Sequence, residues 1–196
     1  MRQAEVSRKT GETDIRVALT LDGTGKYSIN TGVGFLDHML TLFARHGRFD
    51  LEVSCKGDTY VDDHHSVEDI GIALGKAFEQ ALGDKKGVTR YGSTILPMDE
   101  SLILSAVDLS GRGLLVYDLS IPAEKVGTFD TELAEEFWHA FVRRAGAALH
   151  IRKFAGSNTH HLLEASFKAA GRALREAVSM DPTAQNEIPS TNGVLD

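Results

Sequence analysis

An α+β fold made of two copies of one β-β-α-β-α unit is the architecture this sequence predicts, and three observations predict it. The first is a repeated string, His64-His65-Ser66-Val67-Glu68 and His160-His161-Leu162-Leu163-Glu164, each reading His-His-x-x-Glu. The second is that helical spacing of apolar residues surrounds both strings in the same order. The third is a pair of short strand-like runs opening each half, separated by glycine-rich turn signals.

The elements follow in chain order. Asp14 to Leu21 and Lys26 to Asn30 alternate as strands and flank Asp22-Gly23-Thr24-Gly25, a hairpin turn signal. Phe35 to Val53 then reads as a helix, a glycine (Gly47) and a short strand. The first string opens a long amphipathic helix rich in small residues (Ala73, Gly75, Ala77), which suits close packing. In the second half, Leu102 to Leu109 and Leu114 to Ile121 flank Ser110-Gly111-Arg112-Gly113, another tight turn. Leu133 to Ile151 repeats the helix, glycine (Gly146) and strand, and the second string opens a helix carrying Ala169, Ala170 and Gly171. Two such halves, about residues 5–87 and 88–180 of one domain, predict a sandwich in which four helices cover an antiparallel-rich sheet face. Residues 181–196 read as an extended arm.

Composition narrows the function. A net charge of −7 over 196 residues removes bulk attraction to nucleic acid or anionic membrane. No apolar run is long enough to span a bilayer, and the N-terminus lacks a signal-peptide core. A single cysteine, Cys55, rules out an internal disulfide framework and fits the reducing cytosol, so a cytoplasmic location is expected. Cys55 falls in a strand and reads as a packing residue.

The paired strings carry the chemistry. On a helix the first His and the Glu stand at i and i+4 on one face, where both reach one metal ion. The second His points about 100° away and serves something else. The duplication makes this reciprocal. His64 and Glu68 share one ion while His65 faces a second; His160 and Glu164 share that second ion while His161 turns to the first. His38 and His150, each upstream of a string, are candidates to complete the sites, and His139 is structural or exposed. Nitrogen-rich sites with one carboxylate suit Mn, Fe, Co, Ni or Zn, and four protein ligands leave two positions of a six-coordinate ion open for catalysis. A two-metal hydrolase, the first alternative, would draw on more bridging carboxylates, and a metal-binding or storage protein is the second alternative.

Several strings together resemble one enzyme family. GFLDHM (34–39), DDHHSVED (62–69), LPMDES (96–101), SGRG (110–113), LHIRKFAGSNTHHLLEASFKA (149–169) and PSTNGVL (189–195) are similar to imidazoleglycerol-phosphate dehydratases, and the likeness runs from about Glu5 to Leu195. The resemblance implies a duplicated fold of the kind seen in the second domain of a small-subunit ribosomal protein. It implies two manganese ions per active site, a homo-oligomer of two dozen subunits with active sites between them, and a phosphorylated imidazole substrate. One manganese would take His64, Glu68, His150 and His161, and the other His38, His65, His160 and Glu164. The implied reaction converts D-erythro-imidazole-glycerol phosphate to imidazole-acetol phosphate in L-histidine biosynthesis, through an imidazolate stabilised by metal. Glu12 matches the family's acid–base residue. His46, Arg90, Arg112, Lys168 and Ser190 match its phosphate ligands. Asn192 stands where the family usually has lysine, which removes one positive charge.

Overall fold

Alternating burial sets the two sheets. The computed structural model describes all residues 1–196. Strands β1 (Gln3–Lys9) and β2 (Thr13–Thr20) form an antiparallel hairpin, with Thr13, Ile15, Val17 and Leu19 of β2 facing inward. Strands β3 (Tyr27–Asn30) and β4 (Asp50–Gly57) flank helix α1 (Gly34–Gly47), and helix α2 (His64–Leu82) follows. The second half repeats this order: β5 (Tyr91–Met98), β6 (Ser101–Asp108), β7 (Leu114–Asp118), α3 (Glu132–Ala145), β10 (Ala148–Ala155) and α4 (Thr159–Val178). A small hairpin, β8 (Lys125–Val126) with β9 (Phe129–Asp130), precedes α3.

The β-β-α-β-α order is present in both halves, and each half carries one more strand at its front. Sheet orders are β1-β2-β4-β3 and β5-β6-β10-β7. The glycine-rich segments therefore do not close hairpins, because β4 separates β2 from β3 and β10 separates β6 from β7. The reason lies in backbone partners. Asp50 accepts from the N–H groups of Thr24 and Lys26, each at 3.0 Å, so 22–26 wraps onto the start of β4. Gly111 N–H donates to the Gly146 carbonyl at 2.8 Å, which seats the other segment at the α3–β10 junction. Strand β1 is hard to read in sequence because Val6 is its one buried residue.

The helices also sit differently from the expected single covered sheet. The two four-stranded sheets are the outer layers, and the helices lie between them. Helix α2 packs on β1 and β2 and against α3; α4 packs on β5 and β6 and against α1. Small residues permit the close helix crossings. A Cβ on Gly75 would meet the Phe141 carbonyl oxygen at 2.4 Å, and one on Gly171 would meet that of Phe43 at 2.8 Å. An aromatic cluster of Phe43, Phe49, Phe78, Phe137, Trp138, Phe141 and Phe167 fills the space between the layers. The outer faces differ in chemistry. That of the first sheet carries the ion pairs of Arg16 with Glu5 and Glu52, whereas the second exposes Ile95, Leu114, Val116 and Phe154. Residues 181–196 hold no helix or strand and lie against 85–90, with Gly87 N–H donating to the Glu187 carbonyl at 2.8 Å.

Candidate metal centre and phosphate site

Both strings occupy the first turn of their helices. The His64 N–H donates to Asp62 at 2.9 Å, and the His161 N–H donates to the Asn158 side chain at 3.1 Å, so each helix start is satisfied by a side chain just upstream. This fixes the paired histidines alike. The rings of His64 and His65 lie 6.3 Å apart at 82°, and those of His160 and His161 lie 6.4 Å apart at 82°. Within each string the first His meets the Glu, His64 Nε2 at 3.6 Å from Glu68 and His160 Nε2 at 3.0 Å from Glu164.

Around the second string the cluster goes further. Helix α1 brings in His38, whose Nε2 lies 3.3 Å from the same Glu164 oxygen that His160 approaches. Thr31 holds the start of α1 through Asp37. The ligand atoms of His38, His160 and Glu164 all lie within 4.8 Å of one another. Separations of roughly 3 Å suit neighbouring ligands of one ion with bonds of about 2.0–2.2 Å, and two nitrogens with one oxygen suit a borderline divalent cation. The residues present fit such an ion. Glu164 is nearly buried, which opposes its charge, but hydrogen bonds from Lys168, His38 and His160 outweigh burial and hold its pKa below the usual carboxylate range. Lys168 Nζ lies 2.7 Å from Glu164 Oε1.

The other three expected ligands, His65, His161 and His150, stand apart in this chain. His65 belongs to α2 and pairs with Asp58, Nδ1 to Oδ2 2.8 Å, while Glu12 lies 3.5 Å from the same Nδ1. His161 Nδ1 pairs with Glu100 at 2.8 Å. Both imidazoles are raised in pKa by these hydrogen bonds, and Glu100 is lowered to about 2, chiefly by His161 and then by the Asn158 N–H. Asp58 and Glu100 are the acids in contact with the paired histidines, and sequence reasoning singled out neither. The signal was faint: a lone acid after β4 and another in the β5–β6 turn. His150 lies on the exposed face of β10, opposite Ala106 of β6 and Val116 of β7, and makes no hydrogen bond or ion pair with either string. His139 is half-exposed and lies 3.6 Å from Glu135. The matched contacts of Gly75 with Phe141 and Gly171 with Phe43 set the helix registers, and they make Glu136 of α3 the counterpart of His38 of α1.

The expected phosphate residues form two groups. His46, at the end of α1, is lowered in pKa by burial, then by the nearby charges of Lys168, Arg172 and Arg45, and so favours a neutral imidazole. Arg90 stands elsewhere, with a left-handed φ of 77°. Its guanidinium grips Asp108 at 2.8 and 3.3 Å and donates to the Pro189 carbonyl at 2.8 Å. That contact brings the arm, with Ser190 hydrogen-bonded to Asn192, alongside Arg90. Arg112 is exposed, next to the point where Gly111 meets Leu195 and Asp196. Cys55 is buried, as a packing residue should be.

Comparison with known proteins decides the family. The family described as imidazoleglycerol-phosphate dehydratase matches residues 31–174. The chain belongs to the imidazoleglycerol-phosphate dehydratase family. It is 61% identical to the imidazoleglycerol-phosphate dehydratase of Desulforamulus reducens over 99% of this chain and 98% of that one. The enzyme of that name from Jannaschia sp. is 56% identical over the full length of both. Solved structures agree. The imidazoleglycerol-phosphate dehydratase of Staphylococcus aureus superposes with a TM-score of 0.83 at 44% identity, covering 91% of this chain and 99% of that one. That of Pyrococcus furiosus gives 0.84 at 38%, covering 97% and 100%. The protein is thus an enzyme, a hydro-lyase whose family works in histidine biosynthesis. No helix is long and apolar enough to cross a membrane.

Proposed function

We propose that the protein dehydrates D-erythro-imidazole-glycerol phosphate to imidazole-acetol phosphate at a site holding two manganese ions. The convergence of His38, His160 and Glu164 on one point carries this reading. His65 would complete that site. His64, Glu68 and His161 would hold the second ion. Its fourth place passes from His150 to Glu136, because Glu136 matches His38 in helix register while His150 faces out from a sheet. His65 stands outside the His38–His160–Glu164 group, which supports active sites assembled between copies of the chain. The exposed Ile95, Leu114, Val116 and Phe154 support self-association, and a closed assembly of two dozen subunits is the arrangement the family leads us to expect.

The substrate's leaving hydroxyl sits on the carbon attached to the imidazole, and the departing hydrogen is on the next carbon, which is not acidic. Divalent ions held by these residues would supply Lewis acidity and favour the anionic form of the ring. The chain's own groups do the rest. Glu12 stands exposed on the β1–β2 turn beside His65, where its carboxylate moves the protons of the elimination. The hydroxyl leaves as water, the neighbouring C–H is lost, and the resulting enol becomes the ketone. Arg90, Arg112, Lys168, His46, Ser190 and Asn192 hold the phosphate, with Arg90 pre-set by Asp108 and the arm.

The test is to incubate manganese-loaded protein with imidazole glycerol phosphate and look for the acetol phosphate. Release of inorganic phosphate instead would mark a hydrolase. Absence of any reaction would leave a metal-binding protein and overturn the reading.

A further inference from the structure

The two halves treat equivalent glutamates differently. Glu12 and Glu100 each end a hairpin turn, directly before the buried residue, Thr13 or Ser101, that opens the inner strand. A Cβ on Gly57 would meet Ser66 and Thr13, and one on Gly156 would meet Leu162 and Ser101, so these glycines correspond as well. The residue after each is Asp58 in the first half and Ser157 in the second. In both halves a carboxylate lies 2.8 Å from Nδ1 of the string's second histidine, but it comes from different loops: Asp58 for His65, Glu100 for His161. Where the second half lacks the acid, the Ser157 and Asn158 N–H groups instead donate to Glu100, at 3.4 and 2.8 Å, and lock it in place. Glu12, relieved by Asp58, stands 3.5 Å from His65 and makes no closer side-chain contact.

We propose that Asp58 and Glu100 are positioning residues that take the Nδ1–H of His65 and His161, leaving each Nε2, that of His161 3.8 Å from Asp99, as the ligand atom, and that Asp58 thereby releases Glu12 for proton transfer while Glu100 is committed to structure. A carboxylate on one ring nitrogen fixes the tautomer and the ring orientation and raises the basicity of the other nitrogen. Only one of two equivalent turn glutamates then remains available to the reaction. This rests on the reading that His65 and His161 bind the ions.

The test titrates metal-free protein with Mn2+ and follows the free ion by electron paramagnetic resonance, with thermal melts to confirm folding. Glu100→Gln and Asp58→Asn are each expected to weaken one class of site by about 10–100-fold, while Glu12→Gln binds as the parent does. Adding Ser157→Asp to Glu100→Gln, which copies the first half's arrangement, is expected to restore affinity. Glu100 is exposed, so its variant carries the test if Asp58→Asn fails to fold. Parental affinity in Glu100→Gln would overturn the proposal, as would a loss that Ser157→Asp does not relieve. A parent protein that binds no Mn2+ would fail the underlying reading and the proposal with it; a parent that binds while the variants match it fails the proposal alone.

Discussion

The string on α2 and the string on α4 are near copies, yet they stand in different surroundings. Glu164 is 11% exposed and meets two histidines and a lysine, whereas Glu68 is 41% exposed and meets His64 alone. The difference comes partly from the string's own helix, where Lys168 at i+4 from Glu164 has Ile72 as its counterpart, and partly from the neighbouring helix. Helix α1 presents His38 to the string on α4; the equivalent position of α3 is Glu136, an acid in place of an imidazole. Helix α1 of the first half thus completes a three-donor cluster on the second string, whereas the first string holds a His–Glu pair. Identical local spacing does not make identical sites when the packing partner differs.

The largest effect should separate the two turn glutamates. Glu12→Gln is expected to cut kcat by about 10²–10⁴-fold with both metals retained, read by turnover alongside metal analysis. Retained turnover would show that the first half's freed glutamate does no chemistry. The helix crossings come next. Gly75→Ala and Gly171→Ala each force a methyl against a carbonyl oxygen, and each should cost about 1–3 kcal/mol in denaturant unfolding, Gly75 the more because its contact is tighter. Equal costs would mean that the two crossings relax to the same degree.

Removing one carboxylate from each string sharpens the contrast further. In metal-free protein, Glu164→Ala strands Lys168 and two histidines and should cost about 2 kcal/mol, while Glu68→Ala should stay under about 0.5 kcal/mol. Matched melting temperatures would erase the difference between the halves. The smallest effect concerns the arm, which belongs to neither. Asn192→Lys adds a cation near Ser190 and is expected to lower KM by about threefold to tenfold, some 1 kcal/mol. An unchanged or raised KM would show that the arm's charge does not reach the phosphate.

Much of the fold was legible because periodicity is local. The four helices, the buried alternation of the inner strands and the duplication all follow from side-chain spacing along the chain. The hairpins were not legible from the glycine-rich segments. A turn signal marks where the chain bends but not which strand it pairs with next, and Asp50 and Gly146 settled that through backbone hydrogen bonds. The cluster of His38, His160 and Glu164 was partly legible, since i and i+4 spacing placed His160 with Glu164 and the duplication made His38 a candidate. The outward face of His150 was not legible, because proximity in sequence to the second string says nothing about the face of a strand.

By itself, then, the sequence determined the repeat, the paired histidines on their helix turns and the kind of cation they suit, because these depend on contacts within a few residues. Tertiary structure decided the rest. It set which acid takes each Nδ1, which helix lends its string a further donor, and how Arg90 is held by Asp108 and the arm. Those outcomes depend on the register of packed helices and on loops meeting across the sheet. Side chains distant in sequence meet only where the backbone comes close enough to let them.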